Sequence, residues 1–486
     1  MELRFRMGIK EWFKENWAFI GILLFTIGIR IYYFILTNGQ PLWWDSAEYL
    51  NIARRFAFGE DYSFGPVRPV FMSLIFSLFL RISNTELIPR LFMLFLSIAS
   101  VVGVYYLGKE IRDKTTGLIS ALLFSTFYIG LFYTYRLLVD LPSMTFFIFS
   151  ALFFYKYAKE KKSEFLYFTA LLVGIGTLFK LSTAFILAPF LLYLLFTEKI
   201  GFIKKKEIWI SLGIFIMILL PYVLWGFDEF HGFVLTEASS HVAPSNYLTN
   251  LFSNLKSYFH LFNLAVPLTF LILSALGIIL LYKPLLYYRR MREGNQTLRG
   301  EFYLILLLVL PLLIISTMIN HSEDRYIITA FPILFLVIAN GINKLYWFGR
   351  EHNRIGPIIL LVVILIFLTI SQFKYSDELI KSKIGSYADV KQAGLWLKEN
   401  SQPGDIIVTK SQPQIRYYSE RRTIGLPKTE EEFEASLTPA TKFYMISIFE
   451  AHQQWQYDYP KEKNLTLAQA YITQDGSPLL IIYNLK

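Results

Sequence analysis

Two carboxylates beside two tryptophans stand near the start of the chain, in the segment Trp43-Trp44-Asp45-Ser46-Ala47-Glu48. If the segment is helical, this spacing puts Asp45 and Glu48 on one face. The segment follows the first long apolar run, and an acidic residue held at a membrane–water boundary is a candidate general base. Asp-x-x-Glu is also the spacing of a capping box with Asp45 as N-cap, and the tryptophans also fit an interfacial aromatic belt. Both interpretations stay open at this point.

The composition is that of a polytopic membrane protein. The 486 residues are 54% hydrophobic and only 17% charged, which is too apolar for a soluble protein of this length. The formal charge of +10 does not indicate nucleic-acid binding, because the basic residues cluster in short loops between apolar runs, as at 204–206 and 289–292. The absence of cysteine excludes disulfides, cysteine catalysis and thiolate metal sites.

The apolar runs predict about 11 transmembrane helices. The run 69–80 is too short for one, since a spanning helix needs about 20 residues. We therefore expect residues 37–88 to form one outer loop whose helices lie in the membrane plane. With this topology the N-terminus and the basic clusters are cytoplasmic, as the positive-inside rule requires. The predicted spans are 16–36, 88–107, 116–136, 141–157, 165–179, 181–197, 208–226, 263–282, 302–319, 325–343 and 355–373.

The chain divides by composition into a transmembrane domain, residues 1–373, and a small C-terminal domain, residues 374–486. In the second part we predict a helix at about 387–400, a turn at 403–405, and strands at 406–409, 443–448 and 479–484. The predicted fold class is an α-helical polytopic membrane protein with a small C-terminal α/β extracytoplasmic domain. No retention signal is evident, which favours the plasma membrane.

The predicted topology collects further polar residues at the outer side of the membrane. They are Arg68, Asp140, Lys180, His321, Glu323, Arg325 and Tyr326. Most have a structural explanation as well: Asp140 fits a helix cap, Lys180 fits a snorkelling side chain, and Glu323 fits the first turn of a helix. Arg325 does not, because a cation at a helix N-terminus opposes the helix dipole. A nearby anion would explain Arg325 better.

Together these groups suit the chemistry of a lipid-anchored phosphate in a partly apolar cavity. In sugar transfer from a polyprenyl-phosphate sugar, a carboxylate deprotonates the acceptor hydroxyl, which attacks the anomeric carbon in line while the phosphate leaves. A phosphate leaving group needs charge stabilisation rather than a strong general acid. Arg325, Arg68 or Lys180 could supply it.

Several motifs follow one another in order along residues 15–345: Asp45 to Leu50, Arg68-Pro69, Arg90-Leu91, Asp140-Leu141-Pro142, Gly176 to Lys180, and Arg325-Tyr326 with Pro332. In this order they resemble the polytopic glycosyltransferases of the protein mannosyltransferase type. That group, part of the C-type glycosyltransferase superfamily, includes the dolichyl-phosphate-mannose–protein mannosyltransferases and the aminoarabinose transferase that acts on lipid A. Residues 321–326 are also similar to the His-Lys-Glu-Glu-Arg-Phe motif of related lipid-linked mannosyltransferases.

The resemblance implies that Asp45 is the catalytic base, that Asp140 is a second functional acid, and that a polyprenyl- or dolichyl-phosphate sugar is the donor, with inversion at the anomeric carbon. Many members carry two adjacent acids, whereas Ser46 follows Asp45 here, so Glu48 stays an alternative base. Some relatives bind a divalent metal ion through these acids and others do not. We assign none, and a metal cofactor stays open.

We therefore predict an inverting glycosyltransferase that acts at the outer membrane face on an acceptor glycan, lipid or protein. The sugar, mannose-like or another hexose or pentose, and the acceptor stay open. The main alternative is a transporter or flippase of lipid-linked sugars, for which inverted repeats and mid-membrane charges are typical. No repeat is visible, and the ionisable residues lie at the rim. A non-catalytic subunit that anchors the outer domain is a third interpretation, and it leaves the outer carboxylates and Arg325 unexplained.

Overall fold

The structure, a computed structural model, describes residues 9–65, 68–231, 247–319, 322–473 and 475–485. Helices dominate up to residue 399. They are, in chain order, Ile9–Leu36 (α1), Trp44–Phe58 (α2), Phe71–Ile82 (α3), Leu87–Ile111 (α4), Lys114–Ser125 (α5), Tyr128–Thr134 (α6), Asp140–Glu160 (α7), Ser163–Phe179 (α8), Leu187–Glu198 (α9), Lys206–Phe230 (α10), Tyr247–Ala265 (α11), Leu268–Ile279 (α12), Lys283–Leu286 (α13), Tyr288–Arg292 (α14), Gln296–Met318 (α15), Ala330–His352 (α16), Gly356–Lys383 (α17) and Ala388–Glu399 (α18). Short 3₁₀ helices occupy Leu181–Ile186, Lys199–Lys204 and Asp324–Ile327.

The helices make this chain an integral membrane protein. Within the described ranges, 8 helices are long and apolar enough to cross a membrane, or 9 if the pair α5 and α6, bent by 55°, counts as one span. Each of the eleven predicted spans overlaps helical structure, but 181–197 covers the 3₁₀ helix Leu181–Ile186 together with α9, and 263–282 covers the end of α11 together with α12. The helices α7, whose first turn carries Asp140, and α8, which has 17 residues, do not pass that test of length and composition. The polytopic helical fold predicted from the sequence is confirmed.

The segment between α1 and α4 contains α2 and α3, and α3 is a short apolar helix of 12 residues. The helix α2 ends at Gly59, whose φ of 73° is a left-handed conformation that glycine adopts without steric cost. The two helices pack together, and the Ser73 hydroxyl donates to the Tyr49 carbonyl at 2.9 Å. The helix α2, more than half of whose residues are buried, therefore carries both Asp45 and Glu48.

The C-terminal region is built on a five-stranded sheet in the order β2-β1-β3-β5-β4. Its strands are Ile406–Thr409 (β1), Arg422–Ile424 (β2), Thr441–Ser447 (β3), Thr466–Ile472 (β4) and Pro478–Asn484 (β5), and three more helices are Gln412–Ser419 (α19), Glu430–Ser436 (α20) and Gln454–Glu462 (α21). Successive residues of a strand point to opposite faces. Ile407 accordingly packs in one apolar cluster with Leu397 of α18, and Val408 packs in another with Phe433 of α20. The predicted helix and three predicted strands all lie in this α/β region.

The helix α19 contacts the helix α2. The Tyr418 hydroxyl accepts a hydrogen bond from the Leu42 backbone N–H at 2.7 Å, and the Asn51 side chain donates to the Pro413 carbonyl at 2.8 Å. The Arg54 guanidinium lies 4.4 Å from the centre of the Tyr417 ring. The C-terminal region therefore helps to fix the position of the segment that carries Asp45.

Candidate active site

Asp45 lies between two arginines. The helix α2 begins at Trp44 with Trp43 as N-cap, and no side chain caps it. The Asp45 carboxylate instead accepts from Arg68 Nη2 at 2.6 Å on Oδ1 and from Arg325 Nη1 at 2.7 Å on Oδ2. The capping-box interpretation is therefore wrong, and Arg325 has its anionic partner. A local spacing rule failed here because two cations from distant loops compete for the same carboxylate.

Glu48 shares one of these arginines, since Arg68 Nε donates to Glu48 Oε2 at 3.0 Å. The Arg68 guanidinium thus bridges the carboxylates of Asp45 and Glu48. Burial raises the pKa of Asp45, but the charges of Arg68 and Arg325 outweigh it, so that the pKa is lowered overall. Burial raises the pKa of Glu48, and Arg68 only partly offsets it. The two acids are therefore in different electrostatic environments.

Asp140 and Lys180 form a buried ion pair. Asp140 is the first residue of α7 and makes no capping hydrogen bond, because Lys180 Nζ donates to its Oδ1 at 2.6 Å. Lys180 lies in extended conformation at the break between α8 and the 3₁₀ helix that follows. Its ammonium also approaches the Arg325 carbonyl at 3.5 Å. Neither the cap nor the snorkelling explanation holds for this pair.

Arg325 extends the network to the loop between α15 and α16. Its Nε donates to Glu323 Oε2 at 2.5 Å, and the Tyr326 hydroxyl donates to Glu323 Oε1 at 3.3 Å. The Lys180 ammonium lies 5.3 Å from the centre of the Tyr326 ring. The structure thus brings together eight of the nine predicted site residues. The ninth, His321, lies outside the described residues.

Two cavities meet at Asp45 and Arg325. The larger, of about 410 Å³, is lined by the cations Arg68, Lys180 and Arg325, by the acids Asp45, Asp140 and Glu323, and by Tyr49, Pro69, Leu138, Val139, Leu181, Ser182 and Tyr326. The smaller, of about 210 Å³, shares Asp45, Leu138, Glu323 and Arg325 with it. Its other lining residues are Trp43, Trp44, Tyr133 and Tyr387. Asp45 therefore lies at the wall of both cavities, whereas Glu48 lines neither.

Two buried arginines that the sequence analysis did not assign to the site hold the segment before Asp45. Arg90 Nη2 donates to the Gln40 carbonyl at 3.1 Å, and Arg136 Nη1 donates to Gln40 Oε1 at 2.9 Å. Arg136 also lies 4.2 Å from the centre of the Trp43 ring. An arginine inside or beside a membrane helix is costly unless it is paired. This cost could have indicated from the sequence that Arg90 and Arg136 have partners near the site.

Asp324 is a further, partly buried acid next to the site, and the sequence did not indicate it as a site residue. Its Oδ1 accepts from the Tyr133 hydroxyl at 2.9 Å. Burial raises its pKa, and the hydrogen bond from Tyr133 only partly offsets that effect. Tyr133 thus links Asp324 to the smaller cavity. An acid such as Asp324 is favourable at a helix N-terminus, whereas a cation is not, so the helix dipole indicated only the adjacent Arg325 as a site residue.

The acids of the site do not fit a metal centre. In the part of the chain that the structure describes, no group of three or more His, Cys, Asp or Glu residues could hold a metal ion. The space between Asp45 and Glu48 is taken by the Arg68 guanidinium, which bonds to both carboxylates. A divalent cation there would have to displace the paired Arg68 side chain and would be repelled by its positive charge.

Comparisons with known proteins were made by sequence and by structure. The model of the dolichyl-phosphate-mannose-protein mannosyltransferase family matches residues 65–225. The search of curated proteins finds no match. Among solved structures, ArnT from Cupriavidus metallidurans bound to undecaprenyl phosphate is 12% identical over 95% of this chain and 98% of that chain, with a TM-score of 0.64.

The Archaeoglobus fulgidus oligosaccharyltransferase AglB, in complex with an inhibitory peptide and a dolichol-phosphate, is 13% identical over 96% of this chain and 74% of that chain, with a TM-score of 0.60. ArnT from Cupriavidus metallidurans in the apo state matches with a TM-score of 0.64 at 11% identity, over 96% of this chain and 98% of that chain. The resemblance stated from the motifs is thereby confirmed: residues 65–225 match the protein mannosyltransferase family, and about 95% of the chain shares the fold of ArnT and AglB, members of the GT-C glycosyltransferase superfamily.

Proposed function

We propose that this protein is an inverting glycosyltransferase that moves a sugar from a polyprenyl- or dolichyl-phosphate donor to an acceptor at the outer membrane face. The observation that carries the proposal is the position of Asp45, a carboxylate with a lowered pKa at the wall of two adjoining cavities. One cavity collects three cations, which suits a phosphate. The family match over residues 65–225 and the fold support the same class of reaction.

The larger cavity is the proposed site of the donor phosphate and its sugar. The cations Arg68, Lys180 and Arg325 line it, but each is already paired with a carboxylate of the same cavity. The site is therefore close to electrically neutral before the donor binds. A strong excess of positive charge would hold the leaving phosphate too tightly, whereas paired arginines can respond to charge that develops during the reaction.

In the proposed reaction, Asp45 takes the proton of the acceptor hydroxyl while the acceptor oxygen forms a bond to the anomeric carbon. The bond between that carbon and the phosphate oxygen breaks, and its electron pair stays on the lipid phosphate. Asp45 thus loses one negative charge as the phosphate gains one. Arg68 and Arg325 contact Asp45 at 2.6 and 2.7 Å. They can therefore stabilise the negative charge that develops on the phosphate as Asp45 becomes neutral.

Geometry favours Asp45 over Glu48 as the base, although the raised pKa of Glu48 makes it the stronger base of the two. A base must reach the proton that it removes, so position is judged before pKa. Asp45 lines both cavities and Glu48 lines neither. Each Asp45 oxygen accepts one charged hydrogen bond, which leaves lone pairs for an acceptor hydroxyl. Glu48 then serves to hold Arg68.

The test is a sugar-transfer assay with the full chain in membranes and a panel of polyprenyl-phosphate hexoses and pentoses. Asp45→Asn should lose about 100-fold or more of the transfer rate, as expected for a general base. Asp475→Asn, in an exposed turn, is the matched control and should keep the wild-type rate. Transfer unchanged in Asp45→Asn would exclude Asp45 as the base. Movement of labelled lipid across the bilayer without transfer would favour a flippase.

A further inference from the structure

The smaller cavity has a different chemical character from the larger one. Four aromatic side chains line it, namely Trp43, Trp44, Tyr133 and Tyr387, together with the Asp45 carboxylate. The larger cavity shares Asp45 but contains none of these four rings. With about 210 Å³, the smaller cavity is below the range of about 300–1,000 Å³ that is usual for drug-sized ligands. It therefore fits a group about as large as one sugar ring.

The aromatic rings are held in fixed positions. Trp43 is packed by the Arg136 guanidinium at 4.2 Å from its ring centre and by the edge of Phe132 at 5.6 Å between ring centres. Trp44 is the first residue of α2 and lies one helical turn before Glu48. Tyr387 precedes α18 with a φ of 66°, in the left-handed region that a bulky residue rarely adopts. Such backbone conformations cluster at functional sites, where the surrounding structure imposes them.

Trp43 also has an unused hydrogen-bond donor. Its Nε1 is buried and has no hydrogen-bond partner among the described residues. Buried donors almost always have a partner, and one without a partner needs an explanation such as an unseen ligand. The ring that carries this donor lines the smaller cavity.

We propose that the smaller cavity is the acceptor subsite and that it binds a sugar ring, so that the acceptor is a saccharide. This inference rests on the proposed function. The C–H groups of a pyranose face carry partial positive charge, because each carbon bears an oxygen, and they are attracted to the negative face of an aromatic ring. A serine or threonine side chain would leave most of this aromatic surface uncovered. A pyranose stacked on these rings can direct a hydroxyl to Asp45 at the cavity wall.

The experiment measures release of polyprenyl phosphate by the full chain in detergent, using the same donor panel. The acceptors are methyl pyranosides of mannose, glucose, galactose and N-acetylglucosamine, or a peptide that contains serine and threonine. We expect transfer to a methyl pyranoside. Trp44→Leu and Tyr387→Leu should each raise the KM for the pyranoside about five- to ten-fold, the loss expected for one aromatic contact, with the donor KM unchanged. Two variants are used because Trp44 is the neighbour of Asp45 in the chain, so that Trp44→Leu alone could also displace the carboxylate.

Matched controls separate this effect from a general loss of aromatic residues. Trp17→Leu removes a tryptophan that is 72% exposed in α1, and Tyr457→Leu removes a tyrosine that is 48% exposed in α21. Both should leave the KM for the pyranoside unchanged. Transfer to the peptide alone, or an unchanged pyranoside KM in both cavity variants, would overturn the saccharide subsite and leave the glycosyltransferase proposal standing.

A binding measurement tests the subsite without any turnover. Saturation-transfer NMR with the methyl pyranosides should show contact with the wild-type protein and a weaker signal for Trp44→Leu and Tyr387→Leu. If no donor is consumed with any acceptor, the proposed function fails, yet this binding result still supports or excludes a sugar subsite. Absence of saturation transfer for every pyranoside would overturn it.

Discussion

Replacing Lys180 by methionine should destabilise the protein strongly, because it leaves a buried carboxylate without its nearest cation. The Asp140 side chain is 4% exposed and its Oδ1 lies 2.6 Å from Lys180 Nζ. Breaking a buried ion pair from one side costs about 3–5 kcal/mol. Arg325 is also close enough to Asp140 to interact with its charge. We therefore expect the lower end of that range, about 3 kcal/mol.

The assay is thermal unfolding of the purified protein in detergent, followed by tryptophan fluorescence. Lys180→Met should lower the Tm clearly. The double variant Lys180→Met/Asp140→Asn should recover most of the loss and lie within about 1 kcal/mol of the wild type, since replacing a whole buried ion pair by neutral groups is often neutral or better. The control is Lys159→Met, which removes a partly exposed pair with Glu110 at 3.1 Å and should cost less than about 1 kcal/mol.

Two results would refute this reasoning. If Lys180→Met is as stable as the wild type, the Asp140 charge is solvated through the cavity and does not depend on Lys180. If the double variant is as unstable as Lys180→Met, the lysine stabilises the fold through packing of its aliphatic chain and its charge is secondary.

Three further predictions concern Asp45, Tyr418 and Arg68. Because the arginines lower the pKa of Asp45, its ionised form stabilises the fold above the pKa of an unfolded aspartate, about 3.9, and this stabilisation is lost as the pH falls through the folded pKa. The Tm should therefore fall more steeply from pH 7 to acid for the wild type than for Asp45→Asn. Parallel curves for the two proteins would contradict the pairing of Asp45 with the arginines. Tyr418→Phe leaves the buried Leu42 N–H without the hydroxyl at 2.7 Å and should cost about 1–3 kcal/mol with faster hydrogen exchange at that amide, whereas Tyr457→Phe should change neither. Since Arg68 fills the space between Asp45 and Glu48, sugar transfer should survive a chelator of divalent ions, and a loss that added Mn²⁺ restores would show that a metal takes part.

That the candidate site residues lie together was predictable from the sequence, because ionisable residues in a membrane protein are costly and therefore informative. Arg325 is the clearest case, since its conflict with the helix dipole indicated a nearby anion. The identity of that anion was not predictable: Asp45 lies 280 residues away in the chain, and no local rule connects positions so far apart. The same long-range contact explains why the capping-box spacing of Asp45 and Glu48 was misleading.

In the C-terminal region, prediction succeeded where the strands are apolar and failed where they are not. The strands β1, β3 and β5 carry buried apolar runs, and the sequence located them within a few residues. The strand β2 has three residues and begins with an exposed arginine. The strand β4 lies at the sheet edge with two exposed residues at its start. Neither has the alternating burial that makes a strand visible in a sequence.

Four hydrogen bonds join α19 to Leu42 and to the helix α2. Tyr418 and Gln414 bond to the Leu42 N–H and carbonyl, at 2.7 and 3.2 Å, and Asn51 and Arg54 bond to carbonyls of α19. Each bond thus has a backbone atom at one end, and backbone atoms do not change when a side chain mutates. A substitution other than proline at position 42 or 413 would therefore leave the hydrogen-bonding backbone atoms in place, whereas one at position 417 would also remove the ring that contacts Arg54. The hydrogen bonds between the C-terminal region and the segment that carries Asp45 thus depend on four side chains, those of Asn51, Arg54, Gln414 and Tyr418.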